Sequence, residues 1–455
     1  MRVLLINPPS PAGTTINREG AAGFGNRYES EGAFLYPPQT LVTTAAVLKE
    51  AGHAPALLDA TAEGLNVQQT LARIDAISPD VVSVMLSWSG WEDDLFFCEV
   101  LRAARPALRL ITLGTILRAR ARAEEATRVS DLVLVGEPER ALPAACEMAQ
   151  TRSHQSAQIV MAKELAPAEY DTRGYLADLE RLPLPAWDLV PLERYRMVTM
   201  LSSRGCNEGC LYCPYVIGWG DHFRACSPKR VVDELAWLAK RFKPARLMFR
   251  DPVFGHDRAR VVGICQEIMA RKLRISWECE SRPEHFDAEL LALMRRAGCA
   301  TIKVGLESAD PQRLLAVGRV RIIEEAGAYL AKLRDIMLTC RRIGLRCYLF
   351  VMVGWPDASD AEMETTAAFL RELKPEHLAV KVVESYPCTP WAEAGGRADR
   401  EAARRHEAML RTVASSSPKK RYSFWHKGSS WLKKYILGDL DVCLRINWGG
   451  RDKCA

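Results

Sequence analysis

The first 97 of the 455 residues contain no cysteine, so that stretch cannot hold a thiolate-ligated metal centre. Long apolar runs are also missing: none approaches the ~20 residues of a membrane span. The N-terminus, Met1-Arg2-Val3-Leu4-Leu5-Ile6-Asn7-Pro8, lacks the apolar core and cleavage site of a signal peptide and reads as a first strand. Charge of one sign is scarce. Sixty-two basic residues against 56 acidic ones leave +6, too little for the basic footprint of a nucleic-acid binder. The local basic runs Arg118–Arg122 and Lys419–Tyr422 read as solvated faces. These absences leave a cytoplasmic, small-molecule-directed protein with neither membrane nor nucleic acid as partner. At 48% hydrophobic and 26% charged residues the chain is globular, and its length calls for two or three domains.

Cysteine is present in number, 14 in all, but mostly singly in apolar or helical surroundings, as suits a reducing compartment. Three are different. Cys206, Cys210 and Cys213 form C-x3-C-x2-C within Ser203-Arg204-Gly205-Cys206-Asn207-Glu208-Gly209-Cys210-Leu211-Tyr212-Cys213-Pro214. Three thiolates this close converge on one soft-metal centre. Zinc would need a fourth ligand, and neither His222 nor Cys226 completes a usual zinc spacing. A [4Fe-4S] cluster with one open iron fits better.

The pattern of apolar runs gives the fold class, α/β. Strands are expected at 2–7, 56–59, 81–87, 110–113 and 132–135, alternating with helices at 67–77 and 93–104. That alternation makes residues 1–150 a doubly wound, Rossmann-like domain. Residues 151–195, with Leu182-Pro183-Leu184-Pro185-Ala186-Trp187, read as a linker. Within 196–395, strands are expected before Cys206 and at 247–249, 275–279, 301–304, 348–353 and 379–383. Six such βα units make a partial (β/α)6 barrel. Residues 396–455 form a helical C-terminal extension.

The cluster loop, with Tyr212 just before its third cysteine, resembles that of the radical S-adenosylmethionine (radical SAM) superfamily. The resemblance implies a [4Fe-4S] cluster on Cys206, Cys210 and Cys213 whose open iron binds SAM. It also implies reductive cleavage of SAM to a 5'-deoxyadenosyl radical, and an electron donor such as a flavodoxin or ferredoxin. By the same resemblance Asp251 in Asp251-Pro252 would meet the SAM amino group and Arg282 its carboxylate. Glu307 and Ser308 in Gly305-Leu306-Glu307-Ser308 would meet the ribose. An N-terminal doubly wound domain carrying Asn7-Pro8-Pro9 and Gly136-Glu137-Pro138-Glu139 is similar to the cobalamin-binding subfamily, many of whose members are methyltransferases. The Asp-x-His-x-x-Gly cobalt motif reads Asp59-Ala60-Thr61-Ala62-Glu63-Gly64 here, with threonine for histidine. A Gly-Gly pair reads Gly114-Thr115. A cobalamin-free domain covering the barrel mouth is therefore favoured over a cobalamin-bound one.

Acids beyond those that SAM requires, Glu278, Glu280 and Glu384, are the expected substrate-facing residues, suited to proton transfer or to a cationic, hydroxyl-rich molecule. The leading expectation is a lyase of the dehydratase type, acting on an amino-sugar-like substrate by dehydration, deoxygenation or rearrangement in antibiotic-type biosynthesis. The alternative is a cobalamin-dependent radical SAM methyltransferase. An RNA-modifying methylthiotransferase is disfavoured by the cysteine-free N-terminus, and an electron carrier would leave Asp251, Arg282 and Glu307 without a task. His222 and His256 are read as structural, Cys388 as a small buried residue. Trp425, Trp431, Tyr435 and Trp448 are read as a packed cap, and Cys443 and Cys454 as too few for a second cluster.

Overall fold

The computed structural model describes residues 1–30, 33–151, 157–242 and 246–415; the aromatic residues from Trp425 onward, Lys419–Tyr422, Cys443 and Cys454 lie outside them. Two six-stranded parallel sheets organise the chain. In the first, β1 (Arg2–Asn7) lies second from one edge. An antiparallel pair, β2 (Thr15–Asn17) and β3 (Asn26–Tyr28), follows it in the chain before β4 (Ala54–Asp59), β5 (Val81–Met85), β6 (Arg109–Leu113), β7 (Leu132–Val135) and β8 (Gln158–Met161). The sheet order is β4-β1-β5-β6-β7-β8, so the winding direction reverses between β1 and β5. Ligands of doubly wound domains sit at that reversal, beyond the carboxyl ends of the strands. Strands such as Val81–Met85 are buried throughout because helices cover both faces, and this makes them continuous apolar runs.

β8 corrects the expected boundary at residue 150: the first sheet runs on to Met161. Gln158-Ile159-Val160-Met161 is too short to stand out from the linker composition around it. The rest of the linker crosses between the sheets. Ala186 N–H donates to the Val42 carbonyl (3.0 Å), and the fully buried Trp187 donates its indole N–H to Glu234 (3.0 Å).

The second sheet comprises β9 (Val198–Met200), β12 (Leu247–Phe249), β13 (Trp277–Ser281), β14 (Cys299–Glu307), β15 (Arg346–Val353) and β16 (His377–Val382), adjacent in chain order. A small ribbon of β10 (Ser203–Arg204) and β11 (Arg224–Ala225) flanks the cluster loop. This is the expected partial barrel. Two connecting helices show their start signals plainly: Ser227 caps Pro228–Arg241, accepting from Arg230 N–H (3.3 Å), and Asp257 caps Arg258–Ala270. The last described helix, Arg400–Ser415, fits the expected helical extension. No described helix is long and apolar enough to cross a membrane.

Buried ion pairs lock the two sheets together next to the cluster loop. Arg204, two residues before Cys206, binds Glu139 (2.6 Å) and Glu137 (3.4 Å), and Arg224 binds Glu137 (2.8 Å). Burial would raise the Glu137 carboxyl, but the two guanidiniums hold it below its ordinary value. Gly136-Glu137-Pro138-Glu139 thus serves as the joint between domains. On the other side Arg250, at the end of β12, pairs with Glu19 (3.3 Å) and lies 4.3 Å from the Tyr36 ring centre.

Candidate functional site

The three cysteines lie where β9 and β10 deliver the chain to the carboxyl end of the second sheet. Positive φ angles at Gly205 (84°) and Gly209 (76°) turn the loop, and a Cβ on Gly205 would fall 1.8 Å from the His222 carbonyl oxygen. The loop is tied down by Cys206 N–H to the Gly220 carbonyl (3.0 Å), Leu211 N–H to Val317 (3.1 Å) and Trp391 N–H to Leu211 (3.0 Å). All three thiols are free. Burial pushes the Cys206 thiol up to about 11 and Cys213 higher still, with Cys210 and Cys206 adding to the rise at Cys213. Three thiols brought together in one loop are a soft donor set for a cluster's iron. Two buried arginines face the set: Arg282 Nη1 is 3.5 Å and Arg319 Nη1 3.8 Å from Cys210 Sγ. These residues fit a [4Fe-4S] cluster, with cationic donors for an anion bound beside it.

Glu307 and Tyr212 close the other side. Glu307 ends β14 at φ 62°, beyond a register shift at Gly305. Its carboxylate lies back over Gly305, where a Cβ would be 2.1 Å from Glu307 Oε1 and would displace that carboxylate. A left-handed, non-glycine residue at a strand end is local strain of the kind concentrated at functional sites. Burial raises the Glu307 carboxyl, opposed by Arg319 (3.8 Å) and by a hydrogen bond from Tyr212. Tyr212 packs edge-on against Trp355 at 5.5 Å.

Two of the expected SAM contacts have side chains engaged by neighbouring protein groups. Asp251 is fully buried and accepts from Ser202 N–H (2.7 Å), Ser202 Oγ (2.6 Å) and Ser203 Oγ (2.6 Å), with Arg260 Nη1 at 3.7 Å. Its carboxylate is saturated and braces the strand entering the cluster loop. Ser308 accepts from Asp310 N–H (3.1 Å) and contacts Thr366 Oγ1 (3.3 Å), shaping the turn into the next helix. Asp251→Ala would strand several buried donors and a guanidinium. We expect it to cost roughly 3–5 kcal/mol, read as a lower denaturation midpoint, with SAM affinity of the folded protein little changed.

The three substrate-facing acids separate in the same way. Glu278 and Glu280 do share a face of β13, and both reach Lys303, at 2.7 and 3.8 Å. Glu278 also has Arg246 at 3.6 Å. Despite burial its carboxyl lies below the usual range, so it is a neutralised structural anion rather than a proton donor. Glu280 keeps 28% of its side chain exposed. Glu384, exposed at the end of β16, has its carboxyl raised by desolvation, opposed by Arg400 and Lys381. Arg319 and the Glu208–His256–His285 group carried no local sequence pattern. Each is assembled from segments distant in the chain.

At the reversal between β1 and β5 the chain fills its own crevice. Arg18 is fully buried with Asp94 (2.6 Å). Its Nη1 donates to the Pro8 carbonyl (2.8 Å), Asn7 Oδ1 (3.2 Å) and Thr61 Oγ1 (3.2 Å). Thr61 in turn donates to the Pro8 carbonyl (2.8 Å). Thr115 donates to the Ala22 carbonyl (2.9 Å), and a Cβ on Gly23 would lie 2.4 Å from Thr115 Oγ1. The segment that runs from β2 to β3 continues over the barrel, with Phe24 edge-on to Tyr386 at 5.4 Å and Ala22 against Gly218. The Thr61 and Thr115 hydroxyls are thus engaged within the chain itself.

Residues 200–370 match the family model described as the radical SAM superfamily. An uncharacterized methyltransferase of Pyrococcus horikoshii is 24% identical over 399 residues, covering 86% of this chain and 82% of the relative. The anaerobic magnesium-protoporphyrin IX monomethyl ester cyclase of Rubrivivax gelatinosus is also 24% identical, over 83% of this chain and 66% of its own length. Among solved structures, the radical SAM methyltransferase TsrM from Kitasatospora setae aligns with a TM-score of 0.64 at 18% identity, over 86% of this chain and 74% of TsrM. The cobalamin-dependent SAM radical enzyme OxsB aligns at 0.61 and 15%, over 91% of this chain and 56% of OxsB. The two-domain fold is like theirs, and the radical SAM match falls on residues 200–370 of this chain.

Proposed function

We propose that this radical SAM enzyme transfers a methyl group to a carbon of a polar small molecule, with cobalamin as the carrier. Cys206, Cys210 and Cys213 would hold a [4Fe-4S] cluster, which would supply the electron for reductive cleavage of SAM. The protein's own groups do the rest. Arg282 and Arg319 hold the SAM carboxylate beside Cys210, and Glu307, kept in place by Tyr212, accepts from the ribose hydroxyls. Glu280 and Glu384, at the ends of two different strands, orient a cationic substrate and exchange protons with its hydroxyls. The β2–β3 segment and Tyr36 roof the mouth and keep water from the radical. What supports this reading is the relatives named methyltransferases together with the likeness of the two-domain fold to TsrM and to the cobalamin-dependent OxsB.

A second reading, hydrogen abstraction from a small molecule bearing amino and hydroxyl groups without cobalamin, with loss of water or rearrangement, rests on the packing around Arg18, Thr61 and Thr115. Turnover with SAM and a strong reductant on polyhydroxylated amines separates them. We expect methylated product with S-adenosylhomocysteine. A dehydrated or rearranged product with 5'-deoxyadenosine and no methylation would establish the second reading instead.

A further inference from the structure

Only eight histidines occur in the chain, and two of them converge with one carboxylate beside the cluster loop. Glu208 lies between Cys206 and Cys210. His256 follows β12 and His285 follows β13, so the three ligands come from three separate segments. His285 Nε2 is 2.6 Å and His256 Nδ1 3.9 Å from the same oxygen, Glu208 Oε1, and the three atoms all lie within 4.8 Å of one another. The second oxygen is directed elsewhere, to Arg282 Nε at 3.2 Å. A single hydrogen-bonded Glu–His pair would not need the second imidazole aimed at the same oxygen, nor the Phe223 ring that packs on His256 at 4.5 Å and sets its orientation.

From these contacts we propose that Glu208, His256 and His285 bind a divalent cation of the zinc class. Bonds of about 2.0–2.2 Å place tetrahedral ligands roughly 3.3 Å apart, within the spread seen here. Two imidazoles and a carboxylate are the borderline ligand set that zinc takes from protein, with water as the fourth ligand. Water has access, because each of the three side chains is 19–25% exposed. The ion would pin the middle of the cluster loop to the ends of β12 and β13 and leave Arg282 facing Cys210. It lies outside the cysteine set and takes no part in SAM cleavage.

The test uses cluster-loaded protein, dialysed anaerobically against micromolar zinc, with zinc and iron measured together. We expect one zinc per chain alongside the cluster iron. In the His256→Ala/His285→Ala protein we expect the same iron and zinc affinity at least tenfold weaker. X-ray absorption at the zinc edge of the wild-type protein should show nitrogen and oxygen neighbours with imidazole scattering, and it decides the matter if the double variant fails to fold. Zinc bound equally by both proteins, no zinc bound by the wild type, or sulfur in the zinc shell would overturn the site.

Discussion

Replacing Cys206, Cys210 and Cys213 together with alanine is expected to give a folded protein that retains no cluster iron and cleaves no SAM. The loop is held by backbone hydrogen bonds to Gly220, Val317 and Trp391, and by the Arg204 pairs with Glu137 and Glu139, none of which involves a thiol. The fold should therefore survive while the metal centre is lost outright, because three thiolates are the only protein ligands such a cluster has. Iron analysis and 5'-deoxyadenosine formation check this. About four irons per chain persisting in the triple variant would move the cluster away from this loop.

Arg282→Ala and Glu307→Ala are expected to weaken SAM binding strongly and separately, while the cluster's absorption spectrum stays the same. Each removes one partner of a charge-assisted hydrogen bond, worth roughly 1.5–3 kcal/mol or between about ten- and a hundredfold in affinity. Arg282 is 7% and Glu307 8% exposed, so neither contact would be diluted by solvent. Calorimetric titration with SAM under anaerobic conditions reads both. Arg319→Ala should behave similarly, since its guanidinium lies 3.8 Å from both Cys210 Sγ and Glu307. Unchanged affinity in all three would mean that SAM's charged groups are met from other strand ends.

The sheets were legible because both are parallel and covered on two faces, which turns strands such as Val81–Met85 and Leu247–Phe249 into short apolar runs between amphipathic helices. The cluster loop was legible because its ligands are adjacent in sequence. Side-chain orientation was not. Asp251 stands at the strand end the pattern assigns to it, yet the neighbouring Ser202 and Ser203 take its carboxylate, and nothing in Asp251-Pro252 announces that pairing. Glu278 and Glu280 share a face as an i, i+2 pair must, but Lys303 on the next strand decides which of them is neutralised. Arg319 reaches the cluster from beyond the helix Pro311–Ala316, 109 residues after Cys210, and His285 meets Glu208 across 77 residues. Contacts at such separations leave no local periodicity to read. The replacement of the cobalt-ligand histidine by Thr61 was visible, whereas the buried Arg18–Asp94 pair that fills the space around it was not.

Elemental analysis of protein expressed with cobalamin supplied and purified anaerobically tests the central claim most directly, because iron reports the cluster and cobalt reports the crevice in the same sample. The account predicts about four irons and about one cobalt per chain. No cobalt, or iron no higher than in the triple cysteine variant, would contradict it.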